Sequence, residues 1–442
     1  MTAGREDPLP PGPGEEGAVA PRGWLDPAVL AVAVVAMAAG FGQFGAVATL
    51  GDVAKSFGQV AHGLTIRDEA GLSGAELGIG LAILRLASLG GLPLAGVADR
   101  VGRRRVLLAT AVFGLALTVG AAASPGYWWF VAIFAAGRPA LSTAASVAQV
   151  AAAEETSVAD RAKAVALIAG AYGVGSGATA VLHGLASGVL GFRGVFAFAV
   201  VPLVLTLAVR RRLAEPGRFA LVASAREHPL PVLGPVGRPY RRRLAVVAAL
   251  AFMVAVVAGP ANSFVFLYAQ NVLHLAGWVT ALMVISAGAA GLIGLVAGQW
   301  LADRLGRRPT GAMGMALIAT VALIAYSGTT VALVGGYVAG VACGSLFAPA
   351  AGALTNELFP TSVRASVAGW YVATGVLGAT VGLLVFGSVT DINNRFSVAA
   401  AVTFLPTIPA ALLFFLLPET KGREPEDMWP EPTGSRPPFG RP

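Results

Sequence analysis

Two arginines, Arg85 and Arg138, stand in the middle of long apolar runs, and no aspartate or glutamate shares the interior of any such run. A guanidinium carries five N–H donors in a planar fork and keeps its charge. In apolar surroundings it demands acceptors, and a carboxylate meets it with two parallel bonds. The chemistry open to this pair is therefore to hold an anion. Arg85 is expected to face a cavity. Arg138 is read equally as scaffold or as an anion contact. His183 is the sole histidine inside an apolar run. A free imidazole titrates near pH 6.5, which makes His183 a candidate for proton coupling. A wetted, packed histidine near a helix end is the competing reading. Gln43, Asn262, Tyr268, Gln270, Trp370 and Tyr371 offer neutral donors and ring faces for lining a cavity, or simply for packing helices.

Several other chemistries are excluded. One cysteine, Cys343, allows no intrachain disulfide and no Cys-cluster metal site. The three lysines, Lys55, Lys163 and Lys421, do not follow a glycine, so no G-x-x-x-x-G-K-[ST] phosphate loop exists. No G-x-S-x-G elbow is present, and four scattered histidines offer little for hydrolysis. Gly173-x-Gly175-x-x-Ala178 has dinucleotide-like spacing but lies within an apolar run, where small residues serve close helix packing. We expect no enzyme, no cofactor and no metal.

The elements that must position these residues follow from composition. The 442 residues are 56% apolar and only 12% charged, with mean hydropathy +0.73. Apolar stretches long enough to cross a hydrocarbon layer of roughly 30 Å recur throughout. The runs predict twelve transmembrane helices near 28–50, 77–98, 106–123, 127–150, 164–186, 194–209, 244–267, 276–301, 311–328, 330–353, 365–387 and 397–417. The start of the chain has no basic n-region and no cleavage site, so the first span is expected to direct insertion itself. Residues 1–25 and 419–442, rich in Pro, Gly and charge, are expected to be disordered tails.

With both termini inside, the inner segments carry 25 of the 31 basic residues and the outer loops four: Lys55, Arg67, Arg193 and Arg395. The positive-inside rule then places both termini in the cytoplasm. The net charge of +8 is thereby topological and suited to anionic lipid headgroups, with no nucleic acid implied.

The chain is also duplicated. Ala98-Asp99-Arg100-Val101-Gly102-Arg103-Arg104 recurs as Ala302-Asp303-Arg304-Leu305-Gly306-Arg307-Arg308, 204 residues on. Glu154 and Arg161 recur as Glu357 and Arg364 at offset 203, and Glu215 recurs as Glu419 at offset 204. This predicts two six-helix bundles in parallel order, residues 26–210 and 244–418, joined by a basic segment over 211–243. Repeats of this kind place a solute site between the halves near the midplane. The acids and arginines, Asp99, Arg100, Arg103, Arg104, Glu154, Arg161, Asp303, Arg304, Arg307, Glu357 and Arg364 with Glu215 and Glu419, can form a charge-assisted network that gates the cytoplasmic side. Topology signalling by the arginines alone is the competing reading.

The stretch Ala98–Arg105 resembles the loop 2–3 signature G-x-x-x-D-R-x-G-R-R of the Major Facilitator Superfamily, with Ala95 at the opening glycine position. Glu357-Leu-Phe-Pro360-Thr-Ser-Val-Arg364 and Pro418-Glu-Thr-Lys-Gly422 resemble motifs of its sugar-porter and organic-ion branches, and Ala214–Phe219 resembles their loop 6–7 motif. The resemblance covers residues 28–425. It implies an all-α membrane protein of the twelve-helix fold, a secondary-active transporter working by alternating access in the cell inner membrane, as a monomer among lipids. It also implies a structural or proton-relay role for an arginine at the place of Arg138, where Ser142 replaces the usual following glycine.

Within that resemblance three cargoes compete. Sugar porters usually carry an acid in the first helix and paired glutamines in the seventh. Here Gly40-Phe-Gly-Gln43 and Gly259-Pro260-Ala-Asn262 stand there. Drug:proton antiporters usually carry Gly-Pro in helix five, and span five has no proline. Arg364–Trp370 resembles the start of helix eleven in aromatic-acid symporters, whose acidic first-helix motif is absent. A small organic anion or carboxylate explains both arginines and the missing acids, so it is the expected cargo. Drug or metabolite efflux and sugar transport are the alternatives, with protons as coupling ion left open. A non-transporting sensor is the reading from another class.

Overall fold

A computed structural model describes residues 23–60, 70–157, 159–213, 233–234, 236–423 and Trp429. Twelve helices are long and apolar enough to span a membrane: α1 Pro27–Ala48, α2 Gly74–Ala98, α3 Arg103–Ala121, α4 Tyr127–Glu155, α5 Arg161–Ala186, α6 Gly188–Val209, α7 Arg238–Val272, α8 Gly277–Leu305, α9 Arg307–Ala325, α10 Thr330–Glu357, α11 Ser362–Asn393 and α12 Phe396–Leu416. Every expected span is present. The expected tails and most of the 211–243 linker lie outside the described residues.

Local chemistry sets the ends. Asp26 accepts from the Ala28 N–H ahead of Pro27, and so starts α1. Ser73 and Glu76 form a reciprocal capping box at the start of α2. Gly102 and Gly306, equivalent in the duplication, have φ of 109° and 107°. The chain turns there from α2 into α3 and from α8 into α9 through a conformation that side chains with a Cβ rarely adopt. The repeated glycine of the two matching motifs is thus a requirement of the turn.

Each helix is apolar on nearly all sides, and its outward residues stay bare: Ile293 is 72% and Val296 70% exposed. Such faces need hydrocarbon around them. Within the first half α1 packs on α5 and α3 on α4; within the second, α8 packs on α10 and α7 on α11. The halves meet along two seams, α2 with α11 and α5 with α8. In the second seam Gly184 and Gly277 touch so closely that a Cβ on either would strike the other's carbonyl oxygen.

With twelve spans, both chain ends and the loops holding the duplicated motifs lie on one face, here called the basic face. The tightest approaches between the halves lie at the opposite face. There the Gly74 and Ala75 N–H groups donate to Asp391 at 2.6 and 2.8 Å, and Asn271 donates to the Gly51 carbonyl at 3.4 Å. A short helix, Leu50–Phe57, continues α1 into this region. The sequence reading did not separate it, because its apolar residues run on from α1.

Candidate functional site

Arg85 from α2 and Arg138 from α4 line one cavity of about 80 Å³ between the halves, with Gln43 from α1, Tyr172 from α5, and Asn262 and Ser263 from α7. Its walls include Phe44, Leu81, Leu84 and Phe134. Arg138 is 7% exposed and donates from Nη1 to the Gln43 carbonyl at 2.9 Å. Its guanidinium also lies 6.0 Å from the Phe134 ring centre. Its Nε is buried and has no hydrogen-bond partner. Arg85 forms no hydrogen bond or ion pair with any described residue.

Two guanidiniums with unused donors thus share a mostly apolar pocket. Burying a charge without a partner costs several kcal/mol. The arrangement is unbalanced by itself and becomes balanced when an anion enters. Prolines at neighbouring positions shape the wall. Pro139 follows Arg138, and Pro260 precedes Asn262 by two residues, each inside its helix. A proline there gives up one backbone bond and bends the helix. Asn262 turns its amide onto the Ala258 carbonyl at 2.9 Å. It also borders a second, larger cavity of about 390 Å³, lined by Val254, Ile318, Ala322, Tyr337 and Val341 among others.

The other expected cavity residues lie elsewhere. Tyr268 is 4% exposed and packs on Tyr326 and Phe396. Trp370 donates its indole N–H to the Gly234 carbonyl at 3.2 Å. Neither lines the two cavities just described. His183 is 1% exposed, not wetted, and its Nε2 lies 2.7 Å from Asp52 Oδ2. The Gln270 amide reaches its Nδ1 at 3.3 Å. Sequence reasoning missed this partnership because Asp52 lies past the end of the first span and 131 residues from His183. It missed Asp391 likewise, whose only signal was an acid at the end of the eleventh span.

At the basic face the duplication is repeated in contacts. Arg103 pairs with Glu154 at 2.7 Å, and the equivalent Arg307 pairs with Glu357 at 3.7 Å and Asp303 at 3.2 Å. Arg161 donates to the Ala153 carbonyl at 3.0 Å, and Arg364 to the Phe359 carbonyl at 3.4 Å. Arg104 donates to the Arg210 carbonyl at 3.2 Å, Arg304 lies over the Trp300 ring at 4.3 Å, and Arg100 is exposed. Each of these contacts stays inside one half. Glu419 accepts from the Arg307 and Arg308 N–H groups at 2.8 and 3.1 Å, capping α9. Desolvation pushes the Glu419 carboxyl up, but its backbone N–H bonds outweigh that and hold it below the usual carboxylate value. Its repeat partner Glu215 lies outside the described residues, as does the side chain of Asp99.

Comparison with known proteins now has a frame. The Major Facilitator Superfamily model matches residues 30–301 and 288–441. A Haemophilus influenzae protein assigned provisionally to metabolite transport is 26% identical over 352 residues, 76% of this chain and 85% of that one. Among solved structures, the inward-open xylose transporter XylE from E. coli superposes with a TM-score of 0.71 at 20% identity, covering 90% of this chain and 98% of that one. The nucleoside transporter NupG gives 0.71 at 15% identity, over 88% and 99%. The chain belongs to the Major Facilitator Superfamily: it is a multi-pass membrane transporter of small solutes, and not an enzyme.

Proposed function

We propose that the chain is a secondary-active carrier of a small organic anion, a carboxylate held by Arg85 and Arg138 and moved by alternating access. The observation that carries this reading is the pair of guanidiniums lining one cavity with donors unused and no carboxylate among the described residues to neutralise them. Gln43 and Asn262 border the same space and supply neutral donors. The adjoining larger cavity favours an anion with an apolar body over a small hydrophilic one, since its described walls are mostly aliphatic and aromatic. Tyr268 and Trp370, away from both cavities here, would meet the cargo only in another state of the cycle.

The basic loops place both termini in the cytoplasm of a cell whose inner membrane holds the protein, working as a monomer. The state described is then shut towards the outside. The Arg103–Glu154 and Arg307–Glu357 pairs brace the inner ends of the helices of each half, so that each half moves as a unit when the inner side gates. Uptake of a labelled panel into proteoliposomes tests the cargo. Carboxylates are expected to be taken up. Movement of sugars or cationic drugs alone would overturn the assignment, and sugar is the outcome to watch, because the loop motifs resemble those of sugar porters.

A further inference from the structure

We infer that Asp52 and His183 form one proton-binding site whose charge is sensed across the seam by Gln270, so that proton uptake holds the face opposite the basic loops shut. The inference rests on the alternating-access reading and deepens it by naming a coupling ion and its seat. It does not depend on which solute is carried.

Three elements from both halves build the site. Asp52 comes from the short helix after α1, His183 from the last turn of α5, and Gln270 from a π-helical turn, Tyr268–Val272, ending α7. Such turns are rare and mark functional positions. This one sets Gln270 and Asn271 against the short helix, where a Cβ on Gly51 would meet both amides. The His183 side chain is 2% exposed and that of Asp52 27%. The only polar partner joining this pair to the second half is Gln270, among the described residues.

The hydrogen-bond arithmetic gives the direction. With a neutral imidazole, Nε2–H donates to Asp52 and Nδ1 accepts from the Gln270 amide nitrogen. The seam then encloses one uncompensated carboxylate, and Gln270 Oε1 is buried without a partner. A proton taken from water on that face forms a second N–H bond at Nδ1. The Gln270 amide turns over and its oxygen accepts from that N–H. Asp52 now faces an imidazolium, the net charge is zero, and both bonds are charge-assisted. Parting the halves removes Gln270 and admits water, so the neutral form costs less there. Closing and proton uptake therefore go together.

Other titratable groups around the site are accounted for. The short helix also carries Lys55, α7 carries Tyr268 with His274 just beyond it, α4 begins with Tyr127, and α6 carries Arg193. Arg193 stacks on Phe57 and Phe192 and donates to the Ala122 carbonyl, while the Tyr127 hydroxyl donates to the Glu76 carbonyl. Membrane-spanning α1 and the first turns of α8 carry no charged or titratable residue. Asp391, capping α2 across the other seam, would act with opposite sign: its protonation would weaken the cap and loosen the shut face.

The test is a distance measurement at the seam. Spin labels go on Val189→Cys and Trp278→Cys, exposed positions on the two sides, in a Cys343→Ser background in lipid nanodiscs without solute. Double electron–electron resonance is recorded from pH 5.5 to 8.5. The short-distance population is expected to grow relative to the long one as pH falls, by up to about tenfold per pH unit for one linked proton. His183→Gln and Asp52→Asn should flatten the response. Gln270→Leu, which leaves the pair intact, should flatten it too. A flat wild type, a reversed slope, or an unchanged slope in His183→Gln or in Gln270→Leu would overturn the inference. Failure of carboxylate uptake would strike the cargo and leave this coupling standing.

Discussion

Arg85 and Arg138 differ in how much of their hydrogen bonding the protein supplies, and that difference predicts how their variants behave. Arg138 already spends Nη1 on the Gln43 carbonyl, so Arg138→Ala removes both a brace between α1 and α4 and a donor to the cargo. It should lower thermal stability as well as flux. Arg85 has no described protein bond to lose, so Arg85→Ala should leave the melting temperature close to wild type while transport falls. A charge-assisted bond contributes ~1.5–3 kcal/mol, which corresponds to a roughly 10- to 150-fold loss of carboxylate affinity. Arg85→Lys should rescue only part of it, because a point charge cannot reproduce the two-pronged contact. Binding affinities and melting curves for the variants check both statements. The presence of two membrane arginines was legible in the sequence. Their shared cavity was not, because the second span is apolar on all sides and gives no moment to show which face looks inward.

At the scale of elements, the turns of the duplicated motif make a sharp contrast. Gly102→Ala and Gly306→Ala both force a Cβ into a positive φ, at a cost of about 1–2 kcal/mol. Gly306→Ala should be the more damaging, since its Cβ would also meet the Glu419 carboxylate that caps α9. Thermal unfolding in detergent, ranked against wild type, measures this. Glu419 adds a pH signature. Its carboxyl is held below 4.5, so its cap is fully formed above that pH and is lost as pH falls through the lowered value. Glu419→Gln should abolish that part of the acid destabilisation, and melting temperatures between pH 3 and 6 would show it. Helix existence was legible here because twelve long apolar runs leave few alternatives in a bilayer. The short helix Leu50–Phe57 and the π-helical turn at Tyr268–Val272 were not, since neither changes the hydropathy of its neighbourhood.

For the whole molecule, one asymmetry matters most. The contacts at the basic face lie within each half, whereas Asp391 on α2, Asn271 on Gly51 and Gln270 on His183 tie the halves together at the other face. Asp391→Asn keeps the shape of the α2 cap but removes its charge, so the spin-label distances at the opposite face should shift towards the open population, by roughly 2- to 30-fold for a loss of ~0.5–2 kcal/mol. The duplication was legible because its offset of 204 recurs in four separate pairs, and it foretold the symmetric Arg103–Glu154 and Arg307–Glu357 contacts by family of position. What joins the halves was illegible, because the partners are 131 and 317 residues apart and belong to no repeat. The most direct measurement is carboxylate counterflow in proteoliposomes for wild type against the Arg85→Ala, Arg138→Ala double variant, with reconstitution matched by protein content. An anion-binding cavity requires robust wild-type exchange that drops to the background of empty vesicles in the double variant. Exchange at the wild-type rate without either guanidinium would contradict it.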